Sequence, residues 1–242
     1  MRVRRVRIPD LAAGPRTLYG AEAHHLARVL RVAPDDPVEA FDGSGRRAAG
    51  WVVRVTPDAV ELHLDAPEAN PADAGPDVTA WVALLKGDAL AGVVRQGTEL
   101  GVARFVPFRA ARSERPTLTP AKATRYRRVA AEAAKQSGRA HVPDVTDVVA
   151  FEDALAGVAA GGTRVWVADP EGDVPVHAAV ADWRSAGTPP LAVVTGPEGG
   201  FTPDEVEAAA AGGAQRVRFG PRILRAETAP VAFAALALAE AS

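Results

Sequence analysis

At residue 78 the chain changes character, and that change limits its fold more than any other feature. Before it, short β-type runs surround one helical turn: 38–41 leads into Asp42-Gly43-Ser44-Gly45, and 50–55 and 60–64 follow at the spacing of a meander. After it, strands expected at 78–85, 105–107, 165–168, 191–194 and 216–219 alternate with helices. The first helix is expected from its cap Asp88 to Leu100 with Gly101 as its stop, and a basic helix over 120–136 ends at Gly138. Further helices are expected near 151–160, 175–186, 203–211 and 229–241. Such alternation implies a mainly parallel sheet covered on both faces. The expected division is a small barrel-like domain at 1–70, a linker at 71–77 within a stretch rich in Pro, Ala and acids, and an α/β domain at 78–242.

With 242 residues, 48% of them hydrophobic, the chain can bury a substantial core. It has no cysteine, which excludes disulfides and cysteine-ligated metal sites. The basic N-terminus has no apolar run behind it, so a soluble, unprocessed, cytoplasmic protein is expected. Net charge is −2 but unevenly spread: residues 1–31 carry seven Arg against two acids, 104–141 ten Lys or Arg against two, and 142–242 six Arg against fourteen. Basic segments on an otherwise acidic chain fit a phosphate-tracking surface, and they fit solvated helix faces equally well.

Two stretches near the C-terminus carry the chemistry. Thr195-Gly196-Pro197-Glu198-Gly199-Gly200-Phe201 follows a strand, and Thr202-Pro203-Asp204-Glu205 then reads as a capping box with Pro at the first helical position. Its three glycines permit positive φ and close ligand approach, or simply an ordinary strand-to-helix turn. No Gly-Lys-Ser/Thr follows, and the pattern is not a dinucleotide fingerprint, so a nucleotide-like ligand without a pyrophosphate fits best. Leu224-Arg225-Ala226-Glu227-Thr228-Ala229-Pro230 also follows a strand and opens an Ala-rich helix apolar on more than one side, suited to the interior or to a subunit interface.

These two stretches, with Ile223 before the second, resemble the RsmE-type 16S ribosomal RNA uridine N3-methyltransferases of the SPOUT superfamily. Other landmarks agree in order: His24-His25-Leu26-Ala27-Arg28-Val29-Leu30-Arg31, Lys86-Gly87-Asp88, Thr98-Glu99-Leu100-Gly101-Val102, and Glu132-Ala133-Ala134-Lys135-Gln136-Ser137-Gly138-Arg139. The sequence departs from the family pattern at Asp35, where a glycine is usual, at Arg95-Gln96, and at Ala110-Ala111-Arg112-Ser113.

The resemblance implies an α/β fold, with a SPOUT-type C-terminal domain containing a deep trefoil knot, a small N-terminal PUA-like β-barrel domain, and a homodimer. It implies S-adenosylmethionine as cofactor, held by Thr195, Gly196, Pro197, Gly199, Gly200, Ile223, Leu224 and Thr228, and no metal. The implied substrate is a uridine of 16S rRNA, free or in the small ribosomal subunit. Glu198 and Glu227 are candidates for removing the N3 proton, and Arg225 for stabilising charge on a uracil carbonyl oxygen. RNA contacts are expected from Arg2, Arg4, Arg5, Arg7, Arg28 and Arg31, and from Arg109, Arg112, Arg125, Arg127, Arg128 and Arg139. His24 and His25 either shape that surface or form buried hydrogen bonds. Rival readings are a SPOUT methyltransferase for another RNA or base atom, and a non-catalytic RNA-binding protein of ribosome assembly.

Overall fold

The computed structural model describes residues 3–114, 117–153, 155 and 162–239. The chain forms two compact units, Met1–Ala74 with Ala134–Val142, and Gly75–Ala133 with Pro143–Ser242.

In the first unit, period-two alternation of apolar residues builds a six-stranded sheet. Its strands are β1 (Arg4–Arg7), β2 (Gly14–Tyr19), β3 (Pro37–Phe41), β4 (Arg46–Val55), β5 (Ala59–Leu64) and β6 (Glu68–Ala69). They lie in the order β1-β3-β4-β5-β2, with β6 on β4. Only the β1–β3 pair is parallel. Val38, Val52, Val60, Leu62 and Leu64 point inward and meet Ala23 and Leu26 from α1 (Gly20–His24) and the π-helical turn His25–Val29. Gly50 lets β4 and β5 close up, since a Cβ there would sit 2.2 Å from the His63 carbonyl oxygen. The Asp42 turn is held by its own side chain, which accepts from Ser44 N at 2.7 Å and Arg46 N at 3.1 Å. Partial burial works to raise the Asp42 pKa, but these bonds and one from the Ser44 hydroxyl outweigh it and lower the value.

Residues 71–77, expected as linker, begin with a 3-10 turn at Pro71–Asp73. The Asp73 carboxylate accepts from Arg139 Nε at 2.9 Å, Ala140 N at 2.7 Å and His141 N at 2.9 Å. Asn70 Nδ2 adds a bond to the Gly138 carbonyl at 3.0 Å. These contacts tie 134–142 to the first unit, whereas the sequence pattern places those residues in the 78–242 domain.

The second unit contains β7 (Val78–Ala83), β8 (Arg104–Arg109), β9 (Asp144–Val145), β10 (Val149–Ala150), β11 (Arg164–Ala168), β12 (Val174–Pro175), β13 (Leu191–Thr195) and β14 (Gln215–Arg218). The sheet order is β10-β8-β7-β13-β11-β14-β12, with β9 on β8, and every pair is parallel. The fully buried run of β13 and the near-continuous burial of β7 and β8 are what a sheet covered on both faces requires. Helices α2 (Ala89–Leu100), α3 (Pro120–Ser137), α4 (Val176–Ser185), α5 (Pro203–Ala211) and α6 (Thr228–Leu238) alternate with the strands. The helix expected near 151–160 lies mostly outside the described residues.

Gly101 ends α2 in the left-handed conformation at φ 113°, as the glycine stop requires. Asp88 occupies the N-cap position of α2 without capping it; its carboxylate instead takes both ends of the Arg125 guanidinium, at 2.5 and 2.6 Å. A fork of two charge-assisted bonds outcompetes a single bond to a backbone amide. α6 packs on α2, β7 and β13, and Phe233, Ala234 and Ala237 form its buried side. No helix among the described residues is long and apolar enough to cross a membrane.

Candidate functional site

β7, β13, β11 and β14 lie side by side, and their register brings Val82, Thr195, Ala168 and Val217 to one edge of the sheet. This is the carboxyl edge, beside the point where the strand order reverses, where open parallel sheets bind ligands. The loops leaving β13, β11 and β14 enclose a pocket of about 1340 Å³ within the second unit.

Both sequence motifs line it: Thr195, Gly196, Pro197, Glu198 and Gly200 from one, Ile223, Leu224, Arg225 and Glu227 from the other. Gly199 and Thr228 are not among the lining residues. Gly199 is exposed and lies against the Arg112 stem, and Thr228 N donates to the Arg225 carbonyl at 2.9 Å in the first turn of α6. The glycines have separate causes. Only Gly200 is left-handed, at φ 68°, whereas Gly196 leaves room for the Phe201 ring, 3.1 Å from where a Cβ would stand. Phe201 anchors the loop by packing against Phe108 and Phe151. The expected capping box forms: Glu205 N donates to Thr202 Oγ1 at 3.2 Å, and Thr202 N donates to Glu205 Oε2 at 2.8 Å.

Of the three candidate catalytic groups, Arg225 is 86% exposed and stands 3.9 Å from Glu227. Glu198 accepts from Lys86 N at 2.8 Å. The Lys86 ammonium pairs with Glu114 at 2.5 Å, and the hydrogen bond and charge of Glu114, with a smaller contribution from Glu198, raise its pKa.

Sequence reasoning missed the third wall, Asp169-Pro170-Glu171 after β11. Asp169 accepts from Arg216 Nε at 2.9 Å, and this bond above all raises the Arg216 pKa. A Cβ on Gly172 would come within 2.9 Å of the Arg216–Val217 backbone, so the loop lies tightly along β14. The available signal was positional: Asp-Pro-Glu-Gly sits at a strand's carboxyl end, as both motifs do.

The expected RNA-contacting arginines divide. Arg7, Arg28, Arg31, Arg109 and Arg128 are exposed, Arg4 is half-buried, and Arg2 lies outside the described residues. Arg5 is turned into the first unit: it donates to Glu39 at 2.7 Å and to the carbonyls of Ala134 and Lys135 at 3.0 and 3.1 Å. Arg139 is buried against Asp73. Arg125 is engaged by Asp88, and Arg127 donates to the Val145 carbonyl at 3.0 Å and to Asp147 at 2.8 Å. His24 is exposed and His25 half-buried. Among the described residues, no cluster of three or more His, Asp or Glu is placed to hold a metal ion.

A ligand pocket at the carboxyl edge of a parallel sheet is shared by many α/β proteins, and it is the relatives of this chain that give its class, an RNA methyltransferase. Residues 73–238 match the family described as RNA methyltransferase domain, and residues 18–65 match the RNA methyltransferase PUA domain. A ribosomal RNA small subunit methyltransferase E of Bacillus subtilis is 32% identical over 223 residues, covering 89% of this chain and 86% of that one. Its namesake in Synechocystis is 34% identical over 217 residues, covering 88% and 69%. The crystal structure of the Neisseria gonorrhoeae ribosomal RNA small subunit methyltransferase E, bound to S-adenosyl methionine, superposes with a TM-score of 0.85 at 27% identity, covering 97% of this chain and 96% of that one. The chain belongs to the ribosomal RNA small subunit methyltransferase E family.

Proposed function

We propose that this protein transfers the methyl group of S-adenosylmethionine to N3 of a uridine in 16S rRNA, in the cytoplasm. The observation that carries the reading is the convergence of both motif loops on one pocket at the carboxyl edge of the sheet. Family membership supports it, as does the Neisseria relative with its bound S-adenosyl methionine.

The lining suits that cofactor. The pocket exceeds the roughly 300–1,000 Å³ typical of small-molecule sites. Main chain from two loops and apolar Val206, Phe219, Ile223 and Leu224 suit an adenine, while Glu171 and Glu207 suit ribose hydroxyls and an ammonium. Gly196, Pro197, Gly200, Ile223 and Leu224 would hold it, with Thr195 at their base and Gly199 and Thr228 shaping the two loops behind. When bound, S-adenosylmethionine supplies an activated methyl group on a sulfonium centre.

The chain's own work is to orient the uracil and move one proton. Glu227 or Glu198 takes the weakly acidic N3 proton, and Arg225, reaching into solvent, stabilises the negative charge that develops on a carbonyl oxygen. Fixing the two reacting atoms in line supplies the remaining advantage. The base must leave its stack to reach the pocket, at a cost of about a few kcal/mol in paired RNA.

The larger unit carries the family's trefoil knot in this reading. Support comes from the path of the chain, which inserts β14 beside β11 and then returns across the sheet to lay α6 on α2, β7 and β13. The small unit is a PUA-like barrel whose exposed Arg7, Arg28 and Arg31 contact RNA, and the protein is a homodimer.

The test is to incubate the protein with labelled S-adenosylmethionine and unmodified small subunits or naked rRNA, then map the methylated nucleoside. N3-methyluridine is expected, and label on another base, or on neither RNA, overturns the assignment. Arg225→Ala and Glu227→Ala are expected to abolish turnover while leaving cofactor affinity nearly unchanged; wild-type turnover in both would remove their roles.

A further inference from the structure

We infer that Arg112 is a positioning residue for the cofactor loop and not a phosphate contact, an inference that rests on the cofactor reading above. Its Nη1 donates to two carbonyls of that loop, Gly199 at 3.0 Å and Phe201 at 3.1 Å. Its stem lies against Gly199, where a Cβ would meet the Arg112 Cβ at 3.2 Å. A larger residue at 199 would therefore press on the stem of this arginine.

The turn that carries Arg112 is itself fixed. Ala111 N donates to Glu205 Oε1 at 2.7 Å, and Ala110 N donates to Ser113 Oγ at 3.1 Å. Glu205 is the acid of the capping box, so a single carboxylate ties the start of α5 to the 110–113 turn. On the other side, Glu114 holds the Lys86 ammonium, and Lys86 N donates to Glu198. Residues 110–114 thus hold the 198–205 loop twice, directly and through Lys86.

Physical consequences follow for ligand binding. A loop with glycines at 196, 199 and 200 has high intrinsic freedom, and ordering it opposes binding. Two carbonyls fixed to one anchored guanidinium remove part of that freedom before the ligand arrives. These bonds turn the Nη1 hydrogens of Arg112, an exposed residue on the wall of the same pocket, toward the loop main chain.

The experiment compares the full chain with Arg112→Ala, Arg112→Gln and Arg112→Lys, after melting curves confirm that they fold. Calorimetry measures S-adenosylmethionine affinity, steady-state kinetics separates the two KM values from kcat, and RNA binding is titrated against salt. Arg112→Ala and Arg112→Gln are expected to weaken cofactor binding about tenfold, the scale of a lost charge-assisted hydrogen bond. KM for the cofactor rises in step, while KM for RNA and the salt slope stay at wild-type values. Arg112→Lys recovers part of the affinity, because an ammonium reaches one carbonyl without the guanidinium's geometry. Unchanged cofactor affinity in Arg112→Ala overturns the inference, and a salt slope shallower by about one identifies Arg112 as a phosphate contact instead. A wild-type chain without cofactor affinity overturns the cofactor reading and this one together, whereas failure of the inference alone leaves wild-type binding intact.

Discussion

Asp35 shows how much a single backbone angle can carry. Glycine is usual there in the family this sequence resembles, and the Asp35 φ of 69° supplies the reason: the turn needs a left-handed residue. Replacing Asp35 with Gly is expected to stabilise the small unit by about 0.5 kcal/mol, the released strain exceeding the entropy that glycine adds to the unfolded chain. Urea unfolding followed by Trp51 fluorescence checks the sign, and a lower midpoint would refute it. In the 195–201 loop the three glycines were visible in the sequence, but their purposes were not. Gly200 answers to φ, Gly196 to the Phe201 ring and Gly199 to the Arg112 stem, and the last two depend on side chains whose positions no local pattern encodes.

At the scale of elements, local rules read well where the partners are near in sequence. The Thr202–Glu205 box formed as its spacing implied, yet Glu205 also accepts from Ala111 N, a partner 94 residues away. Glu205→Ala should therefore cost more than a simple cap, about 2 kcal/mol, because it also removes the bond from the Ala111 amide to a buried carboxylate. Unfolding monitored through Trp166 and Trp183, both in the same unit, measures it; a loss below about 0.5 kcal/mol would mean that water replaces both bonds. The 134–142 segment offers a second case. Burial alone would raise the Asp73 pKa, but bonds from Arg139, Asn70 and the Ala140 and His141 amides outweigh it and lower the value. A carboxylate whose folded pKa lies below its unfolded one stabilises the fold above the ordinary range, and that stability drains away as pH falls below about 4. Asp73→Asn should flatten this acid limb and destabilise the small unit at neutral pH, and melting curves between pH 3 and pH 7 would show both effects. An Asp73→Asn profile parallel to wild type would assign the acid limb to other groups.

At the scale of the whole molecule, α6 keeps apolar surface that its own unit does not cover. Leu236 is 37% exposed, and Leu100 at the end of the adjacent α2 is 38% exposed. Covering such positions is what a homodimer would do, so Leu236→Glu is expected to convert a dimer to a monomer in light scattering, whereas wild-type mass in the variant would place the interface elsewhere. The alternation of apolar runs and helix signals determined from sequence alone that residues beyond 78 form a parallel α/β sheet, and that both motif loops leave its strands at the carboxyl end. Those are local properties, written in periodicity and caps. Which arginines remain free was decided only by the tertiary structure. Arg5, Arg125, Arg127 and Arg139 find their acids 34, 37, 20 and 66 residues away, and an ion pair of that reach leaves no mark on the segment that contributes either charge.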